Sequence, residues 1–257
     1  MVMYSETQFE KLEQEERVIF EDYAMIVALL LATTKDNLEK ELREFYQKYG
    51  KDGLLTYAEA QKWVTNRNHT KRLTLLTLFV ATEFKSALFN IKPKFEHMLK
   101  SVILKEADFF NVKLDDDVIK KLLTTSWGVD KLTWSKRLED DITTWSAYVN
   151  LDIKRNILQG KSINDILEKL DKRFTTFDSN LYTLGLTETT AVGSLARQRV
   201  MKQLGIAKYQ FFTKADERTC ETCGSLHGTI FPISAFEVAV TASPVHPRCR
   251  CWEIPIF

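Results

Sequence analysis

Five residues near the C-terminal end are the ones whose types and spacing can do chemistry. They are Cys220 and Cys223 in a Cys-x-x-Cys, then, after a gap of 22 residues, His246, Cys249 and Cys251 in His246-Pro-Arg-Cys249-Arg-Cys251. All four cysteines of the chain lie here, so soft ligands are concentrated locally. A Cys-x-x-Cys turn can aim two sulfurs at one point, and His-x-x-Cys-x-Cys can complete the tetrahedral nitrogen and sulfur shell that a structural zinc ion prefers. Cys220, Cys223 and Cys249 are the expected ligands, with His246 or Cys251 as the fourth. Alternation along an extended tail points Cys249 and Cys251 to one side, which allows them to share an ion. Two disulfides, or four reduced thiols packed as small apolar groups, are the alternatives.

A catalytic dithiol is disfavoured, because Glu221 lies inside the Cys-x-x-Cys and Asp216 and Glu217 just before it, and negative charge opposes a thiolate. Neither the His-x-Glu with Pro-Cys-x-x-Cys of a zinc deaminase nor the His-Glu-x-x-His of a zinc protease is present. Four protein ligands close a shell and leave no position for a reactive water, so a structural ion and no enzymatic activity are expected. His227, beside a strand start, reads as a packing histidine more than as an outside ligand.

The elements that must hold these residues are mostly helical. The 257 residues include only 9 Gly and 5 Pro, which argues for long regular elements with few tight turns. The formal net charge is +1, and from Ile206 onward five basic residues face five acidic ones, so there is no bulk attraction to nucleic acid. The apolar run from Ala24 to Ala32 is well short of the roughly 20 residues of a membrane span, and acidic residues precede it where a signal peptide wants basic ones. The expectation is a buried helix, no membrane anchor and no secretion signal, hence a reduced cytosolic setting for the thiols.

In chain order, the periodicity predicts a helix from Ser5 to Thr33 and a second, opened by an Asp36–Glu39 capping box, to Tyr49. Thr56 and Glu59 form another capping box before a helix over Tyr57–Thr65, followed by one from Lys71 to Asn90 and a new start at Pro93. Asp115 to Asp117 open a short helix ending near Trp127-Gly128. Trp134, Leu138, Ile142, Trp145, Val149, Ile153 and Ile157 make one core stripe from Thr133 to Gln159. Ser162 with Asp165 caps a helix to Arg173, and another runs from Ser179 to Leu204. Only then does the period change. Lys208–Thr213 reads as a strand, Gly228–Ile233 as its partner, Phe236–Val240 as a short helix and Cys249–Ile256 as a last extended piece. The chain thus divides into an all-helical region, 1–130, and a second region, 131–257, with helices over 133–204 and a small sheet over 206–257 stapled by the Cys/His cluster, because short strands alone are marginal.

The string Asp216-Glu-Arg218-Thr-Cys220-Glu-Thr-Cys223, then Leu226-His227-Gly228, then His246-Pro-Arg-Cys249-Arg-Cys251, resembles the signature of the phage Mu protein F-like family. Gly160 to Ile166 resembles the family's glycine-serine helix start, and Leu186-Thr-Glu188-Thr189 its threonine-glutamate helix, so the resemblance runs from about Thr133 to the end. It implies a minor head protein of a tailed bacteriophage that joins the procapsid during assembly and contacts the portal, with major capsid or scaffolding protein and phage DNA as further partners. Its place would be the virion, after assembly in the host cytoplasm, and some relatives travel with DNA on ejection. Within the motif, Asp216 and Arg218 are expected to pair with each other or bond the turn, Glu188 to receive an arginine such as Arg218, and Gly228 to supply a backbone shape other residues avoid. A zinc knuckle that contacts packaged DNA is the competing reading.

Overall fold

The computed structural model describes residues 5–65 and 67–257. The expected mainly helical class with a small C-terminal sheet is what it shows. The helices are α1 (Glu6–Tyr49), α2 (Tyr57–Thr65), α3 (Arg67–Phe109), α4 (Asp116–Leu123), α5 (Trp134–Leu158), α6 (Ile163–Gln203) and α7 (Glu221–Leu226). The strands are β1 (Lys208–Thr213), β2 (Ile230–Pro232) and β3 (Cys251–Ile256), in the order β2-β1-β3 with both pairings antiparallel.

Several expected breaks are absent, and one physical reason covers them. A helix continues where its buried stripe continues. The Asp36–Glu39 capping box opens nothing, because Val27, Leu31, Thr34, Leu38 and Leu42 keep one face of α1 buried through it. The Thr33 and Thr34 hydroxyls donate back to the Leu29 and Leu30 carbonyls, and Glu39 pairs with Lys35 and Arg43 one turn away on either side. Pro93 starts no new helix, because Phe84, Ala87, Ile91, Phe95 and Met98 carry the α3 stripe past it. It lies on the exposed side, as does Phe89, whose carbonyl its ring deprives of a donor. The gap expected between Arg173 and Ser179 is likewise filled, with Phe174, Phe177 and Leu181 buried and the Thr175 and Thr176 hydroxyls bonded one turn back. α4 stops at Leu123, short of Trp127-Gly128, and a 3-10 turn over Ile233–Ala235 replaces the helix expected at Phe236–Val240.

Two capping boxes are used as read. Thr56 and Glu59 bond reciprocally at the start of α2, and Ser162 and Asp165 at the start of α6. The seven-residue stripe of α5 is buried throughout.

The chain forms two compact units, 1–24 with 93–136 and 182–257, and 25–92 with 137–181. In the second unit Phe84, Trp145, Phe174 and Phe177 form an aromatic centre with ring separations of 5.3–6.4 Å. The Tyr46 hydroxyl donates to the Lys161 carbonyl at 2.8 Å, and Lys35 pairs with Asp171 at 2.7 Å. This unit also presents bare apolar side chains, with Met25, Leu29, Leu75, Leu78 and Phe89 all more than 60% exposed. Among the described residues, the stretch Thr70–Phe109 of α3 is long and apolar enough, by length and composition, to cross a membrane.

In the first unit, Tyr23 stacks on Phe95 at 5.0 Å and Phe95 meets Trp134 edge-on at 5.2 Å. The sheet brings a second cluster, in which Tyr209, Phe236 and Val238 pack on Ala191 and Met201 of α6. β2 ends in Pro232, and β3 carries Pro255 opposite Tyr209. Close approach of α6 to α1 depends on Gly185, where an added Cβ would stand 2.7 Å from Cε2 of Phe20 and 3.3 Å from Cε1 of Tyr23.

Helix propensity alone would make Gly185→Ala stabilising by about 1 kcal/mol. The ring clash costs about 1–3 kcal/mol, because Phe20 is also held edge-on by Tyr182 at 4.8 Å. The expected outcome in a urea titration is a net loss of stability; a gain would show that α1 yields easily at this point.

Candidate metal centre

The sheet and two loops converge the five residues on one sulfur. β1 ends at Thr213 and pairs there with Cys251, which begins β3. Loop 214–220 then leads into the short helix α7, where Cys220 is the N-cap and its Sγ accepts the Cys223 backbone N–H at 3.4 Å. Cys223 therefore faces inward from the first turn of α7. A second turn, closed by the Cys249 N–H bonding the His246 carbonyl at 3.2 Å, carries His246 and Cys249. Arg248 sits in this turn with a φ of 59°, and its backbone N–H donates to the Thr187 hydroxyl, so α6 holds the turn in place.

Two sets of ligand atoms lie within 4.8 Å of one another, Cys220 with Cys223 and His246, and Cys223 with Cys249 and Cys251. All five residues read from sequence are thus brought together, with Cys223 common to both sets. The Cys223 and Cys249 sulfurs are 3.8 Å apart. Two sulfurs each about 2.3 Å from one ion at the tetrahedral angle lie about 3.8 Å apart, so this pair has the span of a zinc shell. His246 Nε2 is 3.1 Å from the Cys223 sulfur, and its Nδ1 is 2.8 Å from the Pro247 carbonyl. A carbonyl only accepts, so Nδ1 carries the proton and the Nε2 lone pair faces the sulfurs, the tautomer a ligand needs.

The surroundings are apolar. Phe211, Leu226, Phe231 and Val245 pack around the thiols, and Cys223, Cys249 and Cys251 are buried. Burial pushes the Cys223 thiol up to about 12. A hydrogen bond from the Cys251 thiol holds Cys249 down to about 6, and the same bond raises Cys251. The Cys223 backbone N–H lowers Cys220. For His246, burial acts against the charged form, and the Pro247 carbonyl together with the Cys249 and Cys220 charges outweighs it and raises the group. By itself the apolar pocket keeps Cys223 and Cys251 protonated, whereas a bound dication would draw the protons off all of its ligands.

Around the ligands, loop 214–220 is fixed by Asp216. Its carboxylate takes both Arg250 guanidinium nitrogens at 2.6 and 2.7 Å and the Arg218 backbone N–H at 3.0 Å. The Arg250 guanidinium holds the Asp216 carboxyl well below the usual carboxylate range. Arg218 therefore contributes its main chain to the turn, and Arg250 is the arginine that crosses to Asp216. Glu188 is buried and accepts the Trp127 indole N–H at 2.8 Å, while Arg218 is exposed on its loop. Gly228 has a φ of 80°, the left-handed region, and its N–H donates to the Phe211 carbonyl at 2.9 Å. His227 is outside both ligand sets. Its Nδ1 accepts the Thr213 backbone N–H at 3.2 Å, a structural role next to the sheet.

Sequence reasoning missed a second buried polar group in the same unit. Arg197 of α6 bonds Glu106 of α3 and, at 2.9 Å, Glu253 of β3. Glu253 also accepts the Ser243 backbone N–H at 2.6 Å and the Ser194 hydroxyl at 3.1 Å. The signal was available, since Glu16 and Glu106 occupy helix positions one turn from Leu12 and Phe20, and from Val102 and Phe110, where an apolar residue belongs.

Residues 147–254 match the family model described as Phage Mu protein F like protein, a stretch that contains every site residue named from the sequence. No curated protein and no solved structure matches the chain.

Two outcomes check the geometry. Gly228→Ala is expected to cost about 1–2 kcal/mol in denaturant unfolding, since a Cβ is strained at that φ. With a thiol-reactive probe and no added metal, Cys220 should label first, because it is the half-exposed thiol with a lowered pKa; equal labelling of Cys249 would show the pocket to be open.

Proposed function

From a C-terminal region that is phage Mu F-like, we propose that this chain is a non-enzymatic minor head protein of a tailed bacteriophage, built around a structural zinc site. The observation that carries the reading is a coincidence of place. The stretch matched by the head morphogenesis family is the one in which Cys223 gathers Cys220, His246, Cys249 and Cys251. A small sheet of strands three to six residues long gains from a staple at its loops, and four protein ligands leave the ion no open position for catalysis. The helical first unit and its metal-pinned sheet are then a rigid body that joins the procapsid near the portal. The portal protein and the major capsid or scaffolding protein are its partners, the virion its destination and the host cytoplasm its place of assembly. A role in DNA ejection belongs to the same reading.

The competing zinc-knuckle reading needs cations free to meet phosphate. Arg250 is committed to Asp216, and Arg248 donates to the Thr183 hydroxyl and lies over the Tyr182 ring at 5.5 Å, so both arginines between His246 and Cys251 work within the chain, which leaves Arg218 as the exposed arginine of the motif. The head-protein reading is therefore preferred.

Elemental analysis of the purified protein is expected to give about one zinc per chain. Cys223→Ser should abolish binding and lower the melting temperature, because Cys223 belongs to both ligand sets, whereas Cys220→Ser or Cys251→Ser should leave weakened binding. Zinc affinity should fall as the pH is lowered, since each ligating thiol must release a proton, and Cys223 and Cys251 hold theirs tightly. A chain that binds no zinc at neutral pH would remove the staple. In cells producing the encoding phage, the protein is expected in purified procapsids in far fewer copies than the major capsid protein. Its absence from procapsids, with DNA binding that falls steeply with salt, would favour the knuckle instead.

A further inference from the structure

The buried polar group of the first unit holds one guanidinium against three carboxyls. Arg197 divides itself between Glu106 and Glu253, and both of these are fully buried. Glu16 of α1 is only 8% exposed, its Oε1 has no hydrogen-bond partner, and the charge that acts on it most strongly is another carboxylate, Glu106. The other cations nearby are engaged elsewhere, Arg17 with Glu21 at 3.5 Å and Lys105 with Glu15 at 2.6 Å. Gly193 of α6 leaves room for both carboxyls, since an added Cβ would lie 3.3 Å from Glu16 Oε1 and 3.4 Å from Glu106 Oε1.

Beside Glu16 is a cavity of about 40 Å³, lined also by Arg197, Ser194, Ser243, Arg250 and Trp252. The buried Trp252 indole N–H likewise has no partner. A water in this space would accept from Trp252 and donate to Glu16, and it gives a proton a way in and out.

We propose that Glu16 is a proton-binding site, folded as a neutral carboxylic acid that donates its hydrogen bond to Glu106 and thereby latches residues 5–24 of α1 onto the first unit. A third ionised carboxylate cannot join Glu106 and Glu253 in a dry site with a single guanidinium. The charged and titratable groups around Glu16 and its cavity are Glu106 from α3, Arg197 from α6, Arg250, Cys249 and Cys251 from the end of the chain, and Glu13 and Arg17 from its own helix, with Glu253 behind Arg197. Burial foremost, then the Glu106 charge, raise Glu16 well above the carboxylate range against the pull of Arg197. A carboxyl raised on folding gives a stabilisation that is complete below its unfolded value of about 4.3 and lost as pH rises to the folded value. Ionisation sends the proton to solvent, leaves a second carboxylate charge beside Glu106, and loosens the start of α1.

The test is backbone amide exchange over residues 6–20 in the full, zinc-loaded chain, wild type against Glu16→Gln, from about pH 5 to about pH 8. Glutamine keeps the shape and donates to Glu106 at every pH. Wild-type protection is expected to fall, relative to the variant, by about tenfold per pH unit between the ordinary carboxyl value and the raised one. Parallel pH profiles, or a variant less protected than wild type throughout, would overturn the proposal. Should Glu16→Gln fail to fold, the infrared spectrum of the wild type decides. A protonated-carboxyl band persisting at neutral pH supports the site, and its absence sinks it.

Discussion

The pairing of Arg197 with Glu106 and Glu253 is the constraint from which the arrangement of the first unit follows. These charges belong to α6, α3 and β3, which are far apart in the chain, and each is buried. A buried ion left alone costs several kcal/mol, so none of the three elements can dock without the others. Such a pairing contributes little net stability compared with apolar residues of the same volume. What it enforces is register: Glu253 must face Arg197, and that fixes which face of β3 turns inward and where Cys251, two residues earlier, begins the strand.

The cysteine cluster is thereby positioned from two directions. β3 delivers Cys251 beside the end of β1, and the Asp216–Arg250 pair ties the loop before Cys220 to the residue just ahead of Cys251. The turn bearing His246 and Cys249 is held separately, by the Thr187 hydroxyl on α6. Side chains from a short helix, a turn and a strand start therefore meet at one place, each held by a contact of its own with the rest of the first unit.

Local patterns were legible in the sequence where the information they use is local. The α5 stripe, two capping boxes and β1 stand as read, because each depends on residues a few positions apart, and the two halves of the cysteine motif, each read locally, are brought together. The Asp36–Glu39 string failed although it has the same form as Thr56–Glu59. What separates them is the buried stripe, unbroken in α1 and interrupted by Gly50 and Gly53 before α2. Pro93 misled for the same reason. Local pattern shows that Glu16 and Glu106 interrupt apolar stripes but not what they meet, since Glu106 and Glu253 lie 91 and 56 positions from Arg197. Arg250 rather than Arg218 as the side-chain partner of Asp216 is a further case, since the two lie 34 positions apart.

The sheet ends on either side in a strand that is poor at recruiting another. β2 is three residues long and closes with Pro232, and β3 has Pro255 near its end, so on each outer strand one position has no N–H to offer a further chain. An open strand edge captures extended chains at random. With both flanks blunted in this way, the sheet offers such chains little to template on.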